Sequence, residues 1–303
     1  MKPVPDARLA QAAEIIRRGG LVAFPTETVY GLGANALDAA AVERIFEAKG
    51  RPPTSPLIVH VGSVELARQL SSHWPVAAAR LVRRFWPGPL TVVVPKHPSI
   101  PDRVTAGLPT VGLRMPSHPI ALALIRAAGV PIAAPSANRF TGLSPTTAEH
   151  VRRSLGDRVD LILDGGATDV GIESTVVSLV AQATLLRPGM ISREEIEEVI
   201  GTVTTSGEVE GAHPSPGMHD RHYSPRTRLV LLPQHGFAIC GHSSGKTGHA
   251  FPMPTSPDLY AADLYSVLHE LDEEGWDVIY VETPPEEPAW AGIHDRLRRA
   301  ASP

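Results

Sequence analysis

Apolar positions recur along this chain at two spacings, and their alternation predicts an α/β protein. Over 6–18, Leu9, Ala12, Ile15 and Ile16 form a stripe at helical spacing, Asp6 stands where a cap is wanted, and Gly19-Gly20 ends the run. Leu21–Phe24 is a short apolar run suited to a buried strand, followed by the polar turn Pro25-Thr26-Glu27-Thr28. Asp38 caps a second helix with Val42, Ile45 and Phe46 on one face, ending near Gly50. Strands are expected at 57–61, 90–94, 111–115, 132–134, 161–163, 174–179 and 184–186. Helices are expected at 76–86, 119–128, 146–155 and 192–200. The irregular alternation predicts a mixed sheet rather than a strictly parallel one.

The pattern breaks at 201–227, where Gly, Pro, Ser, Thr and His replace apolar periodicity. This stretch reads as a linker between a domain over 1–200 and a smaller one over 228–303. The smaller domain reads as strand, strand, helix (261–271), strand (278–281) and helix (293–299). At about 75 residues it is near the low end for independent stability. The polar stretch Cys240–Ala250 fits none of these elements.

Composition narrows the class. Of 303 residues, 43% are hydrophobic and 20% charged, which supports a real core and argues against disorder. The 30 prolines are about twice the usual share, so many turns are fixed. A net charge of −4 disfavours extended nucleic-acid binding, and stable binding of RNA is not expected. No run is apolar enough to cross a membrane, and the first ten residues lack the apolar core of a signal peptide. The single Cys240 allows no internal disulfide and fits a cytoplasmic location.

Candidate chemistry lies at the ends of the expected strands. Pro25-Thr-Glu-Thr-Val-Tyr-Gly-Leu-Gly33 offers hydroxyls at Thr26, Thr28 and Tyr30 and close-approach glycines at Gly31 and Gly33. It is either a ligand loop or a turn that satisfies its own backbone. Lys49-Gly-Arg51-Pro-Pro-Thr-Ser55 is either a phosphate or carboxylate clamp or ordinary compensation of a helix C-terminus. His60 and Arg114 each interrupt an apolar strand. Arg114 must meet an internal carboxylate or a ligand's. Pro135-Ser136-Ala137-Asn138 places hydrogen-bonding side chains at a strand end, where α/β sheets present ligand groups. Gly241–Thr247 imitates a P-loop but has three residues between its glycines where four are needed. His213, His219 and His222 match no zinc pattern and read as solvated.

Together these segments resemble the YrdC/Sua family of threonylcarbamoyl-AMP synthases. Pro25–Gly33, Lys49-x-Arg51, Pro56-Leu-Ile-Val-His60, Gly112-Leu-Arg-Met-Pro116, Pro135–Asn138, Glu173-Ser-Thr-Val176 and Leu186-Arg-Pro-Gly189 occur in the family's order. His222-Tyr223-Ser-Pro225, Asp263–Asp272, Val281–Pro285 and Ile293-His-Asp-Arg-Leu297 resemble its two-domain form. The resemblance implies a twisted mixed-sheet YrdC-like α/β domain with a concave pocket, plus a small Rossmann-like α/β domain. It implies a nucleotidyltransferase that joins ATP, bicarbonate and L-threonine for tRNA threonylcarbamoyladenosine modification. Mg²⁺ would travel with ATP, and downstream threonylcarbamoyl-transferase proteins would be the partners.

By the same resemblance, Thr28, His60, Arg114, Ala134 and Ser174 surround threonine. Arg51, Ser55, Thr110, Ser136, Asn138, Ser144 and Arg187 hold ATP, and Tyr223 closes over it as part of a linker lid. Lys49 and Arg51 assist by charge and positioning, with no general base assigned and no protein metal site. The alternatives are an RNA-binding module, or carbamoyl transfer to another acceptor as in hydrogenase maturation.

Overall fold

The computed structural model describes residues 2–205, 222–233, 236–244 and 246–302. In chain order the first part contains α1 (Asp6–Arg17), β1 (Val22–Pro25), β2 (Tyr30–Asn35), α2 (Ala39–Lys49), β3 (Ile58–His60), α3 (Val64–Gln69), α4 (Val76–Phe85), β4 (Leu90–Pro95) and α5 (Asp102–Thr105). It continues through β5 (Thr110–Arg114), α6 (Pro119–Ala128), β6 (Ile132–Ala133), α7 (Ala148–Leu155), β7 (Leu161–Ile162), β8 (Thr175–Ser178), β9 (Thr184–Arg187), α8 (Arg193–Ile200) and β10 (Thr204–Thr205). The second part contains β11 (Arg228–Leu232), β12 (Ala238–Ser243), β13 (Lys246–Pro252), α9 (Pro257–Glu273), β14 (Val278–Glu282) and α10 (Ala291–Ala301).

Strands β1–β10 form one mixed sheet in the order β10-β9-β8-β4-β5-β3-β6-β2-β1-β7. The alternating pleat divides its side chains between two cores. On β1, Val22 and Phe24 join Ile16 of α1 and Leu124 of α6 on one face, while Ala23 joins Ile45 of α2 and Leu81 of α4 on the other. The α2 ends are as expected: Asp38 accepts from the amides of Ala40 and Ala41, and Gly50 turns the chain at φ 63°. Asp6 is not a cap. Pro5 holds that position, and Asp6 is the first helical residue, where its charge suits the positive end of the helix.

Strands β11–β14 form a second mixed sheet in the order β11-β14-β12-β13. Only β11 and β14 run parallel. The unassigned stretch Cys240–Ala250 is an antiparallel β12–β13 hairpin, so the order is three strands, helix, strand, helix. The described residues of the P-loop mimic belong to this hairpin, and Gly245 lies outside the described residues. Strand β13 sits at a sheet edge with little to bury, which is why it carries no apolar alternation.

The small second domain completes its core with the first. Val29, Leu143 and Ile172 pack into the same cluster as Leu264, Tyr260 and Ile293. Between the domains, Thr146 Oγ1 and Ser266 Oγ lie 3.0 Å apart, and His269 meets the Ser144 carbonyl at 3.1 Å. Most of the stretch read as a linker, 206–221, lies outside the described residues. Its start adds β10 to the first sheet, and its end, 222–224, is packed against both domains.

Candidate active site

Sheet register brings the key residues together. In the parallel pair β3/β5, His60 lies opposite Arg114, and in β3/β6 it lies opposite Ile132, two residues before Ala134. Adjacent residues in register point to the same face. His60 and Arg114 therefore stand side by side, and Ala134, beside Ile58, faces the same side of the sheet. Ser174 precedes β8 and Arg187 ends β9, which run antiparallel with an irregularity at Val176/Val177. The result is one open cavity, with about 520 Å³ of empty space that includes part of the bulk solvent at its mouth.

Its walls include Thr28, Arg51, His60, Arg114, Ala134, Ser136, Ser174, Arg187 and Tyr223. Three arginines separated by up to 136 positions thus surround one hollow. Five other residues named from the sequence do not line it. Lys49 points beneath the wall, where its Nζ donates to the carbonyls of Ser136 (2.6 Å) and Asn138 (2.5 Å). Burial and the nearby Arg51 hold its pKa well below the usual lysine range. Ser55 accepts from Arg51. Asn138 donates to the carbonyls of Arg139 and Gly142. Ser144 donates to Glu173. Thr110 lines a neighbouring small cavity that shares Ile58 with the main one.

The Pro25–Gly33 motif divides its labour. Thr26 Oγ1 donates to the Val29 carbonyl at 2.6 Å and accepts from the amides of Thr28 and Val29, so it fixes the turn. Tyr30 donates to the Gly166 carbonyl at 2.7 Å and does not line the cavity. Gly33 is glycine for packing: a Cβ there would lie 2.6 Å from the Phe24 ring and 2.7 Å from Ile132. Thr26, Thr28, Val29 and Gly31 all line the cavity wall.

Arg114 meets an internal carboxylate and also faces the cavity. Its Nη2 lies 2.7 Å from Glu27 Oε1, with both side chains buried. Glu27 also accepts from the Ser117 amide. Glu173 is an acid on the cavity wall itself, and it accepts from Arg296 Nε at 2.7 Å and from Tyr265 at 3.2 Å. Burial pushes the Glu173 carboxyl up, but the charges of Arg296 and Arg187 outweigh this and keep it below its ordinary value. Glu27, Glu173 and Arg296 carried no assigned role in the sequence reading. The signal available was the demand of a buried arginine for a counter-charge.

His222 is a correction. It is 5% exposed and lines the cavity, and its ring meets Phe140 edge-on at 5.9 Å rather than standing in solvent. Tyr223 follows it at φ 60°, an unusual backbone for an aromatic residue. It is held because the Ser224 amide donates to Thr141 in the first domain and the His222 amide to Arg299 of α10. Tyr223 is 1% exposed, and neither its hydroxyl nor His60 Nδ1 has a hydrogen-bond partner among the described residues.

Burial first, and then the Arg114 charge, push the His60 pKa down to about 3, so its ring is neutral near pH 7. An unfolded histidine titrates near 6.5, so between these values the unfolded chain binds more protons. The contribution of His60 to stability is therefore intact above about pH 6.5 and falls by about 1.4 kcal/mol per pH unit on acidification. Replacing His60 by Gln should reduce the slope of stability against pH by up to one proton over pH 5–6. Denaturant melts at a series of pH values measure it, and parallel slopes for the two proteins would contradict it.

Comparison with known proteins identifies the family. Residues 14–189 match the Sua5/YciO/YrdC family model, described as "Telomere recombination", and 191–302 match "Threonylcarbamoyl-AMP synthase, C-terminal domain". The threonylcarbamoyl-AMP synthase of Pyrococcus abyssi is 42% identical over 98% of this chain and 95% of its own. That of Bacillus subtilis is 42% identical over 98% and 93%. The crystal structure of P. abyssi Sua5 complexed with L-threonine has a TM-score of 0.90 at 40% identity, covering 99% of this chain and 96% of that one. With both halves matched and the whole length covered, this chain belongs to the threonylcarbamoyl-AMP synthase family in its two-domain form.

Proposed function

We propose that this protein makes threonylcarbamoyl-AMP and pyrophosphate from ATP, bicarbonate and L-threonine, within tRNA threonylcarbamoyladenosine modification. The observation that carries this reading is the convergence of Arg51, Arg114 and Arg187 on one cavity. Three anionic reactants must be held close together there, and matched fixed cations offset their repulsion. Threonine's amine joins bicarbonate with loss of water. The carbamate oxygen then attacks the α-phosphorus, and pyrophosphate leaves.

Each side chain has a physical part in this scheme. Arg114, fixed by Glu27, has its guanidinium at the cavity to receive the threonine carboxylate. The Thr28 and Ser174 hydroxyls and the backbone at Ala134 would receive threonine's other polar atoms. His60 is neutral, so it adds no charge beside Arg114. Arg51 has its pKa lowered by burial to about 10 and remains a cation. It and Arg187 would take the phosphates with Ser136. Lys49 acts one layer back, holding the 136–138 backbone in place. Glu27 and Glu173 are each paired with an arginine. Mg²⁺ would travel with the substrate, on the ATP phosphates. Catalysis rests on positioning and charge rather than on a general base.

Tyr223, whose buried hydroxyl has no partner among the described residues, would close over the nucleotide, as part of a linker that excludes water from labile intermediates. Tyr223→Ala should weaken ATP binding about tenfold, roughly 1.4 kcal/mol. Calorimetric titration checks it, and an unchanged affinity and rate would refute it. No helix among the described residues is long and apolar enough to cross a membrane. In this reading the enzyme would work in the cytoplasm and pass its product to downstream transferase proteins. The reading as a whole is tested by pyrophosphate release from ATP in bicarbonate buffer with amino acids supplied singly. Release should require threonine; release indifferent to it would remove the proposal.

A further inference from the structure

The segment Ile293-His-Asp-Arg-Leu297 of α10 belongs to the second domain, yet its Arg296 reaches the wall of the first domain's cavity. Arg296 is 1% exposed. Its Nε lies 2.7 Å from Glu173 Oε2, its Nη2 donates to the Glu173 carbonyl at 3.1 Å, and its Nη1 donates to Pro188 at 2.9 Å. The guanidinium carbon also stands 5.1 Å from the centre of the Tyr223 ring. One side chain therefore grips the residue before Ser174, the residue after Arg187 and the ring of Tyr223. Asp295 pairs with it at 2.7 Å and completes the local charge balance.

Glu173 lines the cavity beside Arg51 and Arg187. An uncompensated carboxylate there would repel a triphosphate and compete with it for those arginines. We infer that Arg296 is a positioning residue supplied by the second domain, which neutralises Glu173 and seats Tyr223 so that the wall accepts the nucleotide. This rests on the reading of the cavity given above and assigns the second domain a part in ATP selection. Threonine, gathered around Arg114 and Glu27, is served by a separate ion pair, so the effect is specific to one substrate.

The test uses the full-length enzyme and pyrophosphate release, varying ATP at saturating threonine and threonine at saturating ATP. Arg296→Met should raise the ATP KM about tenfold or more while the threonine KM stays within about twofold. Adding Glu173→Gln to Arg296→Met should recover most of the ATP KM, because the buried charge that needed compensation is gone. A general loss of domain docking would move both KM values together and would not be rescued by removing the acid. Either that pattern or an unchanged ATP KM overturns the inference. If Arg296→Met does not fold, Arg296→Lys decides by the same readouts. It keeps the charge without the fork, so the ATP KM should rise about threefold with the threonine KM unchanged, and any symmetrical or absent effect counts against it. Wild-type enzyme showing no threonine-dependent release would instead deny the cavity's proposed reaction, a failure distinct from these.

Discussion

Replacing Arg114 by Ala should raise the threonine concentration needed for half-maximal pyrophosphate release about thirtyfold or more, while the ATP requirement moves less than about threefold. Losing a buried charge-assisted pair is worth ~2–5 kcal/mol, and the lower end of that range already gives such a factor. The structure adds a second component. Glu27 sits 2.7 Å from Arg114, so the truncation leaves a buried carboxylate without its arginine partner behind the cavity wall. That orphan charge also destabilises the fold, by about 3–5 kcal/mol when one partner of such a pair is removed. Glu27→Gln in the Arg114→Ala background should therefore restore much of the melting temperature and little of the threonine affinity. Steady-state kinetics on both substrates and thermal melts of both variants separate these components. Equal effects on threonine and ATP would mean that Arg114 holds the cavity together and does not choose the substrate.

Gly171→Ala should be nearly as damaging, although the site lies outside the cavity wall. Gly171 adopts φ 81°, and a Cβ there would stand 2.1 Å from the Ala261 carbonyl oxygen and 2.5 Å from the Ala262 Cα on α9. Both obstacles are backbone, so neither can swing aside. The helix must retreat, and with it the shared core of Ile172, Leu264 and Tyr260. A loss of about 3 kcal/mol or more is expected from the strained backbone and the lost packing together. Because Glu173 follows two residues later, nucleotide use should fall with the docking. Thermal melting and pyrophosphate release on the same preparation check this; wild-type values for both would show that the interface is looser than its contacts imply.

The elements that could be read from the sequence are those whose periodicity and stop signals agree. Helix α2 is the clearest case, because its Asp38 cap, apolar stripe and Gly50 stop are all local. The strand pair carrying His60 and Arg114 was visible because each residue interrupts an apolar run. Strand β13 was not visible, since an edge strand has no two-sided burial to impress on its sequence. Helices α3 and α5, of six and four residues, were too short to show a stripe.

The cavity was legible in its arginines and less so in the residues that hold them. Lys49 reads as a phosphate ligand from its place beside Arg51, but it bonds two carbonyls almost ninety positions away. Glu173 and Arg296 are separated by 123 positions, and only the docking of two domains makes them a pair. His222 lies in a polar, aperiodic stretch whose composition suggests solvent, whereas its burial comes from Phe140 and Tyr223 around it. In each case the missing information was a long-range partner, which local pattern does not encode.

Crystals of the full-length protein grown with L-threonine and a non-hydrolysable ATP analogue would place all three arginines against their ligands at once. Both molecules should occupy the same cavity, with the threonine carboxylate on Arg114 and the phosphate chain between Arg51 and Arg187. Ligands bound in separate places, or phosphates that leave Arg51 and Arg187 without contact, would contradict the account.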